Sequence, residues 1–213
     1  KIVNVSIHFN ATKLANRLKE IGIERGIKVF EDTIIKVSLD ESSNVTSLDL
    51  DNGNSIPSDF VFDCSGFHRL IIGKTFNSKW KSYKEFLPTN SAIPFFIEMT
   101  DAIPPYTEAI AMKYGWMWKI PLQNRYGSGY VYCDEFQSYD DSLTELERKL
   151  KTKVEPIKHI KFEPGRYENT FHKNIVAIGL SSHFLEPLQA TAIHISFISI
   201  ANLIFHFLKG EDV

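Results

Sequence analysis

Two tryptophans spaced i, i+2 in front of Ile-Pro, Trp116-Met117-Trp118-Lys119-Ile120-Pro121, constrain this chain more than any other feature. In a strand that spacing puts both indoles on one face, an aromatic wall ending where Pro121 has no N–H for the ladder. The plain reading is a pair packed into a core under a hairpin, since aromatic rings mostly serve burial. The run Gly127-Ser128-Gly129-Tyr130-Val131-Tyr132 that follows sits in a hairpin-like context.

Upstream, Asn10 is an N-cap for a helix over residues 11–25, with Leu14, Leu18 and Ile21 on one face and Gly26 as the stop. Strands are expected at 33–39 and 45–50, split by a polar turn, and Asp51-Asn52-Gly53-Asn54 reverses the chain. Residues 59–66 read as an apolar strand whose Gly66 lets the backbone approach another element closely.

From 74 to 162 the chain is richer in aromatics and carries Pro94, Pro104, Pro105 and Pro121, which suits a mostly antiparallel sheet. A helix over 142–151 interrupts it, with Leu143, Leu146 and Leu150 inward and Glu145, Glu147, Arg148 and Lys149 as a solvated face. Residues 174–178 form a buried-strand run broken by Gly179-Leu180-Ser181-Ser182. A helix from Pro187 to Leu208 follows, apolar nearly all round. His194, Ser196, Ser199, Asn202 and His206 interrupt its apolar surface, which favours a buried core helix over a membrane span. A strand, a glycine-containing loop and a helix N-terminus together favour an anion.

The formal net charge of −2 supplies no basic field for nucleic acid and no polybasic membrane patch, so small molecules are the expected partners. Cys64 and Cys133 lie far apart in apolar runs, as buried free thiols of a reducing, cytoplasmic compartment would. The seven histidines are scattered, so no metal site is expected. The chain opens without Met or a signal peptide, directly in a strand-like run, and is expected to be a piece of something longer.

Four ordered segments carry a resemblance. Asp63-Cys64-Ser65-Gly66-Phe67 follows a β-meander; Trp116-x-Trp118-x-Ile120-Pro121 comes next; Phe162-Glu163-Pro164-Gly165-Arg166 precedes Ile175-Val176-Ala177-Ile178-Gly179-Leu180-Ser181-Ser182; and Phe184-Leu185-Glu186-Pro187-Leu188 closes the set. Together they resemble the flavin-dependent tryptophan halogenases. The resemblance implies an α/β fold: an incomplete flavin-monooxygenase-like FAD-binding domain with an inserted antiparallel sheet. Residues 1–73 and 163–213 would belong to the FAD-binding domain and 74–162 to the substrate region.

It also implies reduced FAD delivered by a separate flavin reductase, a halide ion, and an electron-rich aromatic substrate such as an indole. Gly179, Leu180, Ile193 and Ile34 become flavin neighbours, and Thr191 and Ala192 the halide site. The family's Glu-Ser-Thr-Gly is Gln189-Ala190-Thr191-Ala192 here, so Gln189 replaces a carboxylate that Gln cannot match in acid–base work. The family's essential lysine has no assignable counterpart, and no Gly-x-Gly-x-x-Gly occurs. A flavin monooxygenase or other oxidoreductase on the same scaffold, and an inactive truncated remnant, are the competing readings.

Overall fold

The computed structural model describes residues 7–99, 103–186, 188 and 191–209, except the side chains of 207 and 208. In chain order the regular elements are α1 (Ala11–Glu24), β1 (Ile34–Leu39), β2 (Val45–Leu50), β3 (Ser55–Pro57), β4 (Val61–Asp63), β5 (Trp80–Ser82), β6 (Ser91–Glu98), β7 (Glu108–Met112), β8 (Gly115–Pro121) and β9 (Arg125–Tyr132). Then come α2 (Tyr139–Leu150), β10 (Ile160–Lys161), β11 (Gly165–Tyr167), β12 (Phe171–His172), β13 (Ile175–Ala177), β14 (His183–Phe184) and α3 (Thr191–Lys209). They divide into two compact units, Lys1–Glu31 with Asn90–Lys161, and Asp32–Thr89 with Phe162–Val213.

The first unit is built on a five-stranded antiparallel sheet in the order β10-β6-β9-β8-β7. Strand alternation sends Ile93, Phe95, Met117, Tyr130 and Tyr132 to one face, where they bury with Leu146 of α2. Each such side chain stabilises the unit by about 1.5–3 kcal/mol. Helix α2 starts three residues earlier than expected because Ser138 caps it, its Oγ accepting from the Asp141 N–H at 3.1 Å. Glu145 is not on a solvated face. Its carboxylate accepts from Tyr130 Oη at 3.0 Å, Gln137 Nε2 at 2.9 Å and the Lys113 N–H at 2.9 Å, clamping α2 to the sheet. Glu147 likewise holds Lys153 and the Val154 N–H. Helix α1 has its expected cap, Asn10 Oδ1 accepting from the Lys13 N–H, yet buries none of its residues.

The second unit holds three small sheets: the meander β1-β2-β3, the trio β12-β13-β4 with β13 and β4 parallel, and β14-β11-β5. Asn174 ties the first two together by imitating a strand. Its Oδ1 accepts from the Val45 N–H at 2.9 Å, while Nδ2 donates to the carbonyls of Val45 and Asp59. Val45, Val61, Ile71 and Ile175 form the core beneath.

Three expectations fail in this unit. The strand expected over 59–66 is three residues, because the Asp63 side chain turns back to cap the segment that follows. Cys64 is exposed rather than buried, since it lies past the strand end; Cys133 is buried, and both thiols are free. Gly66 makes no close approach: a Cβ there would meet nothing within 4 Å, and its φ of +65° is what requires glycine.

Candidate functional site

The two indoles project from the face of the first unit's sheet opposite α2. Their neighbours across the ladder are small or short: Trp116 stands against Ala111 and Val131, Trp118 against Ala109 and Gly129. Both indoles are half-buried, their ring centroids 6.0 Å apart and their planes at 57°. The face toward α2 carries Met117 instead, so the reading of the pair as core under the hairpin does not describe the sheet's principal core. Ile120 shares the tryptophan face, opposite Gly127, and Pro121 closes the strand against Tyr126. Beyond it the Leu122 N–H donates to the Arg125 carbonyl and turns the hairpin.

In the second unit, β13 runs into the turn Gly179–Ser181, where Gly179 adopts a φ of +68°. Two hydroxyls pin this turn. Ser181 Oγ lies within hydrogen-bond reach of the carbonyls of Asp63 and Ile178 and shares its one proton between them, and Ser182 Oγ donates to that of Gly179. Gly179 faces Ser196 of α3, whose Oγ lies 3.5 Å from where a Cβ would stand. The structure therefore brings Gly179 and Leu180 beside α3, the helix that carries Thr191, Ala192 and Ile193. Helix α3 begins at Thr191, and Thr191 Oγ1 donates to the Leu188 carbonyl at 3.0 Å. Ile34 opens β1, paired with Leu50 of the meander. Gln189 and Ala190, together with Pro187, lie outside the described residues.

Helix α3 is not a buried core helix. Ile193, Phe197, Ile198, Ile200, Ile204 and Phe205 are all exposed, and Leu203 is its buried residue among those described. The first-turn N–H groups of a helix have no partner within the helix itself, and together with the positive pole there they suit an anion. The half-exposed Ile193 supplies an apolar surface beside it. That set fits a halide and the flat ring end of a flavin; a cradle for the pyrophosphate is absent from the sequence, which has no Gly-x-Gly-x-x-Gly. A cavity of about 470 Å3 adjoins α3, with Arg166, Ile178, His183, Ile195, Asn202 and His206 among its lining residues. His183 bonds Ser182 Oγ through Nδ1 at 2.7 Å, its Nε2 is buried without a partner, and burial pushes its pKa down.

Asp63, which opens the resemblance segment 63–67, has a structural role that the sequence did not indicate, and it is 2% exposed. Its Oδ1 accepts from the Ser65 N–H at 3.0 Å and Ser65 Oγ at 2.6 Å, and its Oδ2 from the N–H groups of Ile71 at 3.0 Å and Ile72 at 2.9 Å. It caps the helical turn Leu70–Thr75, and its carbonyl receives Ser181 and the Ile178 N–H. The signal was an acidic residue closing an apolar run. Among the described residues no group of three or more His, Cys, Asp or Glu is placed to hold a metal ion, and no helix is long and apolar enough to cross a membrane.

The sequence model of the family described as tryptophan halogenase matches residues 1–212. This chain belongs to the tryptophan halogenase family. It is 34% identical over 213 residues to tryptophan 7-halogenase RebH of Lentzea aerocolonigenes, covering 97% of this chain and 40% of that protein. Against tryptophan 6-halogenase SttH of Streptomyces toxytricini the identity is 35%, over 96% of this chain and 40% of that protein. The solved structure of SttH matches with a TM-score of 0.89 at 34% identity, over 94% of this chain and 40% of that one. BrvH, a flavin-dependent halogenase from Brevundimonas sp. BAL3, gives 0.88 at 35% identity, over 94% and 42%. The chain thus spans about 40% of the length of the curated relatives it matches. Its mixed α/β fold with antiparallel sheets is that of part of the flavin-dependent halogenases.

Proposed function

We propose that this chain is part of a flavin-dependent halogenase, contributing the wall that keeps an electron-rich aromatic substrate from the flavin and the flank that holds halide. The observation carrying this reading is the tryptophan pair, set on the sheet face away from α2 in a chain that matches the family from residue 1 to 212. Reduced FAD, delivered by a separate flavin reductase, supplies the chemistry that activates oxygen and oxidises halide when it is bound. Gly179, Leu180 and Ile193 would flank the flavin ring, with Ile34 a further flavin neighbour, and the N–H groups of Thr191 and Ala192 would hold the halide. Ala192 lies within the helix and needs no positive φ, so the family's glycine can be Ala without losing the N–H donor.

Trp116 and Trp118 would keep the aromatic substrate away from the flavin. Gln189 has no proton to exchange near neutral pH, so its part at the family's Glu position is limited to hydrogen bonding. In domain terms, 1–73 and 163–213 would be the flavin-binding part, and 74–162 the substrate region with its inserted sheet.

The test supplies a polypeptide carrying these residues with FAD, a flavin reductase, oxygen and either bromide or no halide, with tryptophan and indole as substrates. Mass spectrometry should detect a brominated product that disappears without reductase or without halide. A hydroxylated product formed regardless of halide would replace this reading with the monooxygenase one. These 213 residues alone are expected to lose FAD on desalting; a retained flavin spectrum would contradict the missing pyrophosphate cradle.

A further inference from the structure

A serine inside a helix competes with the backbone, because its hydroxyl can bond the carbonyl four residues back. Helix α3 holds two such bonds. Ser196 Oγ donates to the Ala192 carbonyl at 2.8 Å and Ser199 Oγ to the Ile195 carbonyl at 2.9 Å. The chemistry is the same at both, but the surroundings differ. Ser199 lies further along the helix and borders the cavity beside it. Ser196 stands between two turns of chain. Its Oγ is 3.5 Å from where a Cβ on Gly179 would stand, and the carbonyl it bonds belongs to the first turn of α3.

A first turn needs bracing, because its N–H groups have no partner within the helix and its peptides are held on one side only. From outside the helix, Thr191 Oγ1 does this by donating to the Leu188 carbonyl at 3.0 Å. From inside, Ser196 does it by holding the Ala192 carbonyl. The turn that Ser196 faces is itself fixed by Ser182, whose N–H and Oγ both donate to the Gly179 carbonyl, at 2.9 and 2.8 Å. One hydroxyl thus stands where the Gly179–Leu180 flank and the Thr191–Ala192 flank meet. We propose that Ser196 is a positioning residue for the halide flank: it bonds the Ala192 carbonyl while facing Gly179, and so holds the first turn of α3 in place beside the Gly179 turn. This rests on the reading of Thr191 and Ala192 as halide donors. Ser196 touches no halide itself and acts through the Ala192 peptide. Without the hydroxyl the turn frays and its N–H groups lose their common aim.

Two substitutions of equal bulk isolate the hydroxyl. Ser196→Thr keeps a hydroxyl able to reach the carbonyl four residues back, and Ser196→Val matches Thr in shape without it. Bromide is the probe, added to the chain without flavin, and its affinity is read from the broadening of the bromine NMR line. The parent chain and Ser196→Thr should bind bromide alike. Ser196→Val should bind it about fivefold more weakly, the size of one net hydrogen bond. Ser199→Val, which removes the same kind of bond away from Gly179, should leave the affinity unchanged. Hydrogen exchange supplies a second readout. The Ile195 amide, whose helical acceptor is the Thr191 carbonyl, should exchange faster in Ser196→Val and at the parent rate in Ser196→Thr.

Equal bromide affinity in the parent chain and Ser196→Val overturns the proposal and leaves the halide reading standing. Equal weakening in Ser196→Thr and Ser196→Val also overturns it, because bulk rather than the hydroxyl would then be the cause. If the parent chain does not broaden the bromide line, the halide reading falls and the proposal with it. Should Ser196→Val fold poorly, Ser196→Ala provides the further arm, since Ala is the better helix former. Bromide affinity should still drop about fivefold while the thermal midpoint holds or rises. A merely structural serine would give no such split, and unchanged affinity in Ser196→Ala overturns the proposal.

Discussion

Asp63→Asn is the perturbation with the sharpest consequence. The carboxylate receives four donors, two on each oxygen, and is 2% exposed. Asn keeps one oxygen and puts an NH2 where the other stood, so two donors face a donor whichever way the amide is turned. If the oxygen stays with Ile71 and Ile72, Ser65 Oγ can rotate to accept, but the Ser65 N–H is stranded. Each bond to a charged acceptor is worth about 1.5–3 kcal/mol and an orphaned buried donor costs about 1–3 kcal/mol, so the second unit should lose about 3 kcal/mol. Asp63→Ala, which leaves all four donors unmatched, should lose more. Trp80 reports on this unit once Trp116→Phe/Trp118→Phe has removed the chain's other two indoles. Urea titration of its fluorescence should show a lowered midpoint at unchanged slope. A loss below about 1 kcal/mol would refute the reasoning, because it would mean the carboxylate is not the acceptor these N–H groups depend on.

Glu145→Gln should destabilise the first unit by about 1–3 kcal/mol, since its oxygens serve three donors and one amide oxygen cannot; denaturation followed by circular dichroism checks this. Burial pushes the Glu145 pKa up, but the bonds from Gln137, the Lys113 N–H and Tyr130 outweigh it and hold the carboxyl below its usual value. The stability it contributes is therefore present above about pH 4.5 and lost as pH falls through the lowered folded value. His183 acts in a higher window: burial lowers its pKa, so the unfolded chain binds a proton that the fold does not, and stability declines as pH falls below 6.5. His183→Asn should flatten the thermal-midpoint profile between pH 6.5 and the folded value, leaving a smaller slope of the same sign from His159. Cys64 is exposed as a residue, but burial of its thiol and the neighbouring Asp63 raise its pKa; an aromatic disulfide reagent should titrate one thiol per native chain, slowly, and two after unfolding.

Local chemistry was legible wherever a residue speaks for its own backbone. Asn10 announces the start of α1, and the alternation around the polar turn gives Val45–Leu50 at its observed limits. The spacing of Trp116 and Trp118 placed both rings on one face of β8. Features set by distant partners were not legible. Asp63 and Glu145 look like ordinary polar residues until the fold brings Ile71, Ile72, Tyr130 and Gln137 to them. Helix α3 misled for the opposite reason: an apolar composition predicts burial but does not say what covers it, and within this chain most of its large side chains remain exposed. Of the proposed site, Thr191, Ala192 and Ile193 came from the family resemblance rather than from any pattern of their own, and Gln189 lies outside the described residues. That the Trp118 indole fills the space over Gly129 needed coordinates, because strand alternation names the neighbour but not the volume it fills.

The halide flank is the part of the account that a single observation can reach most directly. Crystals of the chain grown with bromide and measured at the bromine absorption edge should give an anomalous peak within hydrogen-bond reach of the Thr191 and Ala192 N–H groups at the start of α3. Bromide found at surface lysines with none at that first turn would contradict the account.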